Sequence, residues 1–318
     1  MSRPLISVVL CSFNGEKFIG EQIDSILKQA YSNFELIISD DASTDSTAEI
    51  LRRYATNDKI KLHFQKQNIG PSKNFEFALQ QASGEFIACS DQDDVWLPEK
   101  IEKLQAAIED SSLIYSDSEL VDENGNRLNK KLSDLRNLYS GHRTTGFIFS
   151  NVVWGHALMF NRKILPSILP IPDGIPHDIW IAYKAATITG IKYLDQPLTL
   201  YRQHHSTATK TIATKTKSRT NEKLYADFKK QLHWIEVMRD HATPQEKSFY
   251  SELHDLYKKK EDGKYVWPLF GFLMKNRKWI FMFTKKKKSS QIVEISKQAK
   301  GVNSPSSLRS AFGREESG

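Results

Sequence analysis

The residues best equipped for chemistry in this 318-residue chain are Ser90-Asp91-Gln92-Asp93-Asp94. They close the strand-like run Glu85-Phe86-Ile87-Ala88-Cys89 and precede a helix led by Pro98. Three carboxylates crowded at one strand end repel one another, so a fold keeps them for capping, for a cation, or for both. A hard divalent ion such as Mg²⁺ or Mn²⁺ takes oxygen ligands, commonly one or two carboxylates together with substrate phosphates. An Asp-x-Asp at the carboxyl end of a strand is therefore suited to hold a metal–nucleotide diphosphate. Turn and helix-cap chemistry is the competing reading.

The elements that must position this cluster follow from the apolar pattern of the first hundred residues. Residues 5–12 predict a buried strand, Asn14-Gly15 a turn, and 16–29 a helix with Phe18, Ile19, Gln22, Ile23, Ile26 and Leu27 on adjoining faces. Strands are predicted at 34–39, 60–65 and 85–90, and a helix at 72–82. Ser46-Thr47-Ala48-Glu49 reads as a capping box opening a helix to about residue 55. Short strands alternating with helical stretches predict βαβ units and a parallel sheet, in which ligands bind outside the carboxyl ends of the strands. Polar residues gather at those ends: Ser12 and Asn14, then Asp40 and Asp41, then Asn68 and Lys73, then the Asp91 cluster. Any one of these alone suits a turn or a cap. Four successive ends loaded this way predict a nucleotide crevice.

Beyond it, 113–116 and 120–121 read as strands, Asn124-Gly125 as a hairpin turn, and 126–146 as a mobile polar loop. The apolar run 152–160 contains Trp154-Gly155-His156, and four prolines make 166–176 extended or turning. His177-Asp178-Ile179-Trp180 opens a predicted helix to about 189, and 191–201 is strand-like and runs into Arg202-Gln203-His204-His205. The Thr/Lys-rich stretch 207–220 reads as a linker, with helices beyond it and no internal repeat.

Composition suits a globular protein: 39% hydrophobic and 11% aromatic residues. Cys11 and Cys89 both lie in apolar runs and read as small buried hydrophobes, which fits a reducing cytosol. The short apolar N-terminal run has no cleavage signature, and no segment predicts a transmembrane helix. The formal charge of +7 is uneven: residues 256–300 carry 13 Lys and Arg against 3 Asp and Glu, leaving the remainder slightly acidic.

With these motifs in place, the chain resembles a known family. Ser7-Val8-Val9-Leu10-Cys11-Ser12-Phe13-Asn14-Gly15, Ile38-Ser39-Asp40-Asp41-Ala42-Ser43-Thr44-Asp45, Asn68-Ile69-Gly70, Ala82-Ser83-Gly84-Glu85 and the Asp91 cluster are similar to family 2 glycosyltransferases of the GT-A fold. The likeness runs from about residue 5 to 205. Residues 90–96, 177–180 and 201–204 resemble its rhamnosyltransferase-type branch. The resemblance implies an α/β GT-A fold, a mostly parallel sheet flanked by helices, with residues 1–218 as the transferase domain (nucleotide half 1–105, acceptor half 106–218) and 219–318 as a helical region.

It also implies roles. Asp41 would accept a hydrogen bond from the nucleotide base, and Cys11 would meet the base through its backbone, structural burial being the alternative for its thiol. Ser12 and Asn14 would sit in the same crevice, with Lys73 against base or phosphate or simply solvated. Asp91 and Asp93 would hold Mn²⁺ or Mg²⁺, with His204, or its neighbour His205, as a further ligand. Asp94 would either support the metal ligands from behind or cap the following helix, the cap being the favoured reading. Asp178 matches the catalytic base, with His177 where the family usually has Glu; a helix cap is its other reading. Gly155 and His156, beside Trp154, would line the donor-sugar pocket. Trp96, His177 and Trp180 would contact the acceptor, although tryptophans more often fill cores.

The expected activity is inverting transfer of a sugar, L-rhamnose from a dTDP donor, to a saccharide or lipid-linked glycan in bacterial surface polysaccharide synthesis. The same chemistry with a UDP-hexose is the alternative, as is a non-catalytic nucleotide-sugar-binding subunit. A nucleotidyltransferase is disfavoured because Asn14-Gly15-Glu16 is no Gly-rich phosphate loop. The aromatic blocks 265–274 and 279–283, interleaved with lysines, predict either association with an anionic membrane surface or a helical domain packing them inside, against a second subunit in a homodimer. No nucleic-acid recognition motif accompanies the basic region. The protein is expected in the cytoplasm, at the inner face of the cell membrane.

Overall fold

A computed structural model of the chain describes residues 3–204 and 220–304. Most of the linker expected at 207–220, and His205 with it, lies outside those residues. Two compact units are present: Met1–Thr144 with Asn151–Thr211, and Thr145–Ser150 with Ile212–Gly318.

The first unit begins β1 (Ile6–Ser12), α1 (Ile19–Leu27), β2 (Phe34–Asp40), α2 (Thr47–Arg52), β3 (Ile60–Phe64), α3 (Pro71–Gln80) and β4 (Phe86–Ser90). It continues with β5 (Val95–Trp96), α4 (Lys100–Ala107), β6 (Leu113–Val121), β7 (Arg127–Lys131), α5 (Leu132–Leu135), β8 (Leu158–Asn161), α6 (Leu165–Ile168), α7 (His177–Thr187) and β9 (Ile191–Arg202). The strands form one sheet in the order β3-β2-β1-β4-β8-β6-β9-β5, with β7 paired to β6. The first four strands are parallel, as the sequence predicts. Beyond β4 the pairing is mixed: β8 is antiparallel to both β4 and β6, and β9 is parallel to β6.

The near-continuous apolar runs of β1, β2 and β4 are explained by burial on both faces. Ile19, Ile23 and Ile26 of α1 pack with Val8, Leu10, Leu36, Ile38 and Ile114 in the core beneath the sheet. Each such side chain removed from water contributes about 1.5–3 kcal/mol. Gly70, with φ of 84°, turns the chain into Pro71 at the start of α3, where proline's missing N–H costs nothing.

Three local expectations are corrected. The capping box at Ser46 does not form; Asp45 instead accepts hydrogen bonds from the Thr47 amide and hydroxyl. The strands expected at 113–116 and 120–121 are one strand, β6, with register shifts around Asp117. The stretch 126–146 is not simply a loop. It holds β7 and α5, and Asp122 closes the hairpin turn by accepting the amides of Asn124 and Asn126.

The second unit contains α8 (Asn221–Asp240), α9 (Lys247–Lys258), α10 (Trp267–Lys275), α11 (Arg277–Ile280) and α12 (Lys288–Gln298). The segment Thr145–Ser150 is built into it: Trp234 Nε1 donates to the Phe147 carbonyl at 2.9 Å, and Phe283 packs edge-on to Phe147 at 5.0 Å. Leu269, Phe272, Leu273, Ile280 and Phe283 are buried, while Trp267 is 70% exposed and Trp279 38%. Among the described residues no helix is long and apolar enough to cross a membrane.

Candidate active site

The loops after β1, β2 and β3 are tied to one another by their own polar residues. Ser12 Oγ donates to Asp40 Oδ1 at 2.9 Å, and Asn14 Oδ1 accepts the Thr44 amide at 2.8 Å. Asn14 and Ala42 adopt left-handed backbone, φ 49° and 57°, an uncommon cost for non-glycine residues that clusters at functional sites. Both carboxylate oxygens of Asp41 accept amides across the crevice, from Ile69 at 2.8 Å and Gly70 at 2.9 Å. Asp41 thus anchors the Asn68-Ile69-Gly70 turn and is itself almost fully buried. Lys73, on α3, pairs with Glu76 and Asp173. Burial, reinforced by Cys89 and the Asp91 charge, pushes the Cys11 thiol well above its ordinary value, so it stays protonated. Phe13, 43% exposed at the end of β1, is an aromatic face beside this crevice that the sequence reading passed over.

At the end of β4 the three aspartates separate. One ligand atom from each of Asp91, Asp94 and His156 lies within 4.8 Å of the others. Asp93 turns instead to His204, Oδ2 to Nε2 at 2.8 Å. The expected cap role of Asp94 is corrected: α4 starts at Lys100 with no side-chain cap, and Asp94 Oδ1 accepts the Arg202 amide at 3.0 Å. Asp94 Oδ2 is buried without a hydrogen-bond partner among the described residues, 3.5 Å from His156 Nδ1. An orphaned carboxylate oxygen beside a second carboxylate and an imidazole is a donor set that fits a divalent cation.

Burial, with the charges of Asp93 and Asp91, lifts Asp94 well above the usual carboxylate range. Burial, with the Asp91 charge, raises Asp93 as well. Desolvation works the same way on Asp91, but the nearby His156, His177 and Lys100 outweigh it and hold that carboxyl low. Burial keeps the His156 imidazole below its ordinary value, hence neutral and able to ligate. His156 Nε2 is fixed by Ser118 Oγ at 2.9 Å, and its ring stacks on Tyr201 at 4.3 Å.

Lys100 counters this acidity from inside the fold. Fully buried, its Nζ donates to the His156 carbonyl at 2.5 Å and to Thr199 Oγ1 at 2.8 Å, over the Trp96 ring at 3.7 Å. Burial lowers its pKa well below the ordinary value against the pull of Asp94 and Asp91. Nothing in the sequence distinguishes Lys100 from a solvated lysine at a helix start.

The start of α7 meets the cluster at Gly155. A Cβ placed there would lie 2.8 Å from His177 Nε2 and 3.6 Å from Asp91 Oδ1, so any larger residue would have to displace the His177 ring. His177 stacks face to face on Phe75 at 3.6 Å, and its buried Nε2 has no hydrogen-bond partner among the described residues. Asp178 does not occupy the N-cap of α7; Pro176 does. Asn151 Nδ2 donates to Asp178 Oδ2 at 2.9 Å and the Ile179 amide donates to Oδ1 at 2.7 Å. Burial lifts Asp178 above the usual carboxylate range, against the His177 ring and the Ile179 amide. A fixed carboxylate of raised basicity can accept a proton from a hydroxyl placed beside it. Asn151 was missed because its partner lies 27 residues away.

Two expected acceptor contacts are corrected. Trp96 is 2% exposed and packed in the core, with β5 paired to β9. Trp180 is 1% exposed, its Nε1 donating to the Ile168 carbonyl at 2.7 Å. Neither offers a ring face to a sugar.

The mixed sheet flanked by helices, with its acidic strand end after β4, has the GT-A architecture. The family model "Glycosyl transferase family 2" matches residues 7–169, and the chain belongs to that family. Among curated relatives, it is 34% identical over 126 residues to UDP-Glc:alpha-D-GlcNAc-diphosphoundecaprenol beta-1,3-glucosyltransferase WfgD of Escherichia coli, covering 39% of this chain and 49% of that one. In five other relatives the match spans between 33% and 65% of their length. The fold is similar to Staphylococcus aureus TarS 1-349 in complex with UDP-GlcNAc (TM-score 0.57, 19% identity, 91% of this chain and 79% of that one). It is also similar to mannosyltransferase PcManGT from Pyrobaculum calidifontis in complex with GDP-Man and Mn²⁺ (TM-score 0.54, 16% identity, 99% and 89%).

Proposed function

We propose that this protein is an inverting, metal-dependent glycosyltransferase that moves a sugar from a nucleoside diphosphate donor to a saccharide or lipid-linked glycan in bacterial surface polysaccharide synthesis. The observation that carries the reading is the meeting of Asp91 and the His177–Asp178 helix start across Gly155. Single displacement needs a stabilised leaving group on one side of the anomeric carbon and one base on the other.

In this reading Cys11, Ser12, Asn14, Asp41 and Lys73 surround the nucleotide and Gly155 the donor sugar, whereas His156, expected beside that sugar, is 1% exposed and stands with the acidic group. Asp91 and Asp93, with Asp94, His156 and His204 around them, hold a divalent ion. That ion, when bound, neutralises charge developing on the departing diphosphate. Asp178 takes the proton of the acceptor hydroxyl as its oxygen attacks the anomeric carbon. The bond from that carbon to the phosphate oxygen breaks and the configuration inverts. His177 contacts the acceptor, and residues 1–105 and 106–218 form the nucleotide and acceptor halves.

We read the donor as dTDP-L-rhamnose, on the likeness of residues 90–96, 177–180 and 201–204 to rhamnosyltransferase-type sequences. A UDP-hexose is the second reading, favoured by the relative named for UDP-Glc and the fold neighbour holding UDP-GlcNAc. The lipid-linked acceptor draws support from the diphosphoundecaprenol in the name of WfgD; an enzyme using such an acceptor would work at the inner membrane face. Release of nucleoside diphosphate from a panel of nucleotide sugars, with Mn²⁺ or Mg²⁺ and with EDTA, tests the assignment. Release from one donor, abolished by EDTA, is expected; no release from any donor would remove the transferase reading.

A further inference from the structure

We propose that the outer face of α10 and α11, with the lysine run that follows, docks on an anionic lipid bilayer; this deepens, and rests on, the lipid-linked acceptor reading. On α10, Leu269, Phe272 and Leu273 face the interior of the helical unit. Trp267, Gly271 and Lys275, four residues apart, form an exposed stripe with Pro268 beside it. No atom lies within 4 Å of a Cβ placed on Gly271, so the stripe is open along its middle. The Trp267 ring leans on Tyr265 at 4.7 Å and on Phe270 at 6.0 Å, yet 70% of the residue remains exposed. On α11, exposed Trp279 carries the Lys278 ammonium 4.8 Å from its ring centre.

Among the described residues the charge around these indoles is largely without ion-pair partners. Lys264, Lys275, Lys278 and Lys285 to Lys288 are all exposed. Among the described residues only Lys286 of this set has a carboxylate in ion-pairing range, Glu294 at 3.8 Å. A bilayer surface uses both halves of the patch together. Indoles settle at headgroup depth, while ammonium groups meet lipid phosphates and bury their stems. Neither half alone is stable anchoring, which favours a reversible peripheral contact.

The test uses the full chain with vesicles of phosphatidylcholine alone and of phosphatidylcholine with phosphatidylglycerol, read by co-sedimentation, with donor hydrolysis measured in the same samples. Binding at least ~tenfold tighter to the phosphatidylglycerol vesicles, weakened by salt, is expected. Trp267→Ala with Trp279→Ala, and separately Gln at Lys285, Lys287 and Lys288, should each weaken it about tenfold and leave donor hydrolysis unchanged. Wild-type protein ignoring these vesicles, or variants binding as tightly as wild type, would overturn the docking. Capture by single-stranded DNA in place of vesicles would overturn it too. Hydrolysis absent while vesicle binding persists fails the transferase reading alone; hydrolysis intact without binding fails the docking alone.

Discussion

His204 Nε2 and Asp93 Oδ2 lie 2.8 Å apart, joining the residues just beyond β9 to the acidic end of β4 across 111 positions of sequence. The pair stands apart from the Asp91, Asp94 and His156 group whose ligand atoms converge. The two sets make separable demands on a cation. Asp93→Ala should weaken Mn²⁺-dependent binding of nucleoside diphosphate about 100-fold and His204→Ala about tenfold, as titration calorimetry would read. Unchanged metal dependence in both would assign the ion to the other three residues alone.

As the proposed base, Asp178 would have to be ionised to accept a proton, so transfer is expected to fall as pH drops below its raised pKa. Asp178→Asn should lower transfer about 10²–10⁴-fold while donor binding is retained. Asn151→Ala removes an N–H that favours the charged carboxylate. The pKa then rises further, and the acid limb of the pH–rate profile should move to higher pH. A limb that stays in place would exclude Asp178 as the titrating base.

Gly155→Ala places a methyl group 2.8 Å from His177 Nε2. Transfer should fall about tenfold or more, and the overpacking should cost about 1–3 kcal/mol of stability. Adding His177→Ala to that variant should recover part of the loss, since neighbouring substitutions couple when they share space. A double variant no better than the product of the singles would place the cost of the methyl elsewhere.

Lys100→Met keeps the stem and deletes the buried charge. Asp94 and Asp91 then lose a neighbouring cation, and the His156 carbonyl and Thr199 hydroxyl lose their donor. About 1.5–3 kcal/mol of stability should go with these buried hydrogen bonds, measured by urea unfolding. A loss under about 1 kcal/mol would mean that Lys100 itself carries no charge in the resting protein.

Glu35 in β2 accepts hydrogen bonds from Ser7 Oγ, the Ser83 amide and hydroxyl, and Lys61 Nζ. Against the burial that would raise it, these partners hold its pKa at about 2, from an ordinary 4.5. The depressed value means the contribution is full above 4.5 and fades as pH falls toward 2. Glu35→Gln should therefore cost about 1–3 kcal/mol at neutral pH, with the gap to wild type narrowing through that acidic window. A gap that is constant with pH would contradict the ion-pair origin.

What the sequence made legible was whatever a local pattern encodes. Continuous apolar runs marked β1, β2 and β4, because a parallel strand buried on both faces is apolar along its length, and the polar residues stand at their ends. Side chains serving distant partners were opaque. Lys100 serves a carbonyl 56 residues away and Asp94 an amide 108 residues away, and no window of sequence joins them. Trp96 and Trp180 show the same limit: their type fits a sugar face and a core equally, and strand pairing and helix packing decided for the core.

The six residues Thr145–Ser150 belong with the helical unit, and the chain returns at Asn151 to the unit that holds Asp178. The helical portion is consequently not a cassette that can be trimmed or grafted at one junction. Severing the chain near residue 219 would strip Phe147 of Trp234 and Phe283, leaving a greasy loop tip immediately upstream of Asn151, which donates to Asp178. Any chimera between relatives of this enzyme must transplant both stretches together.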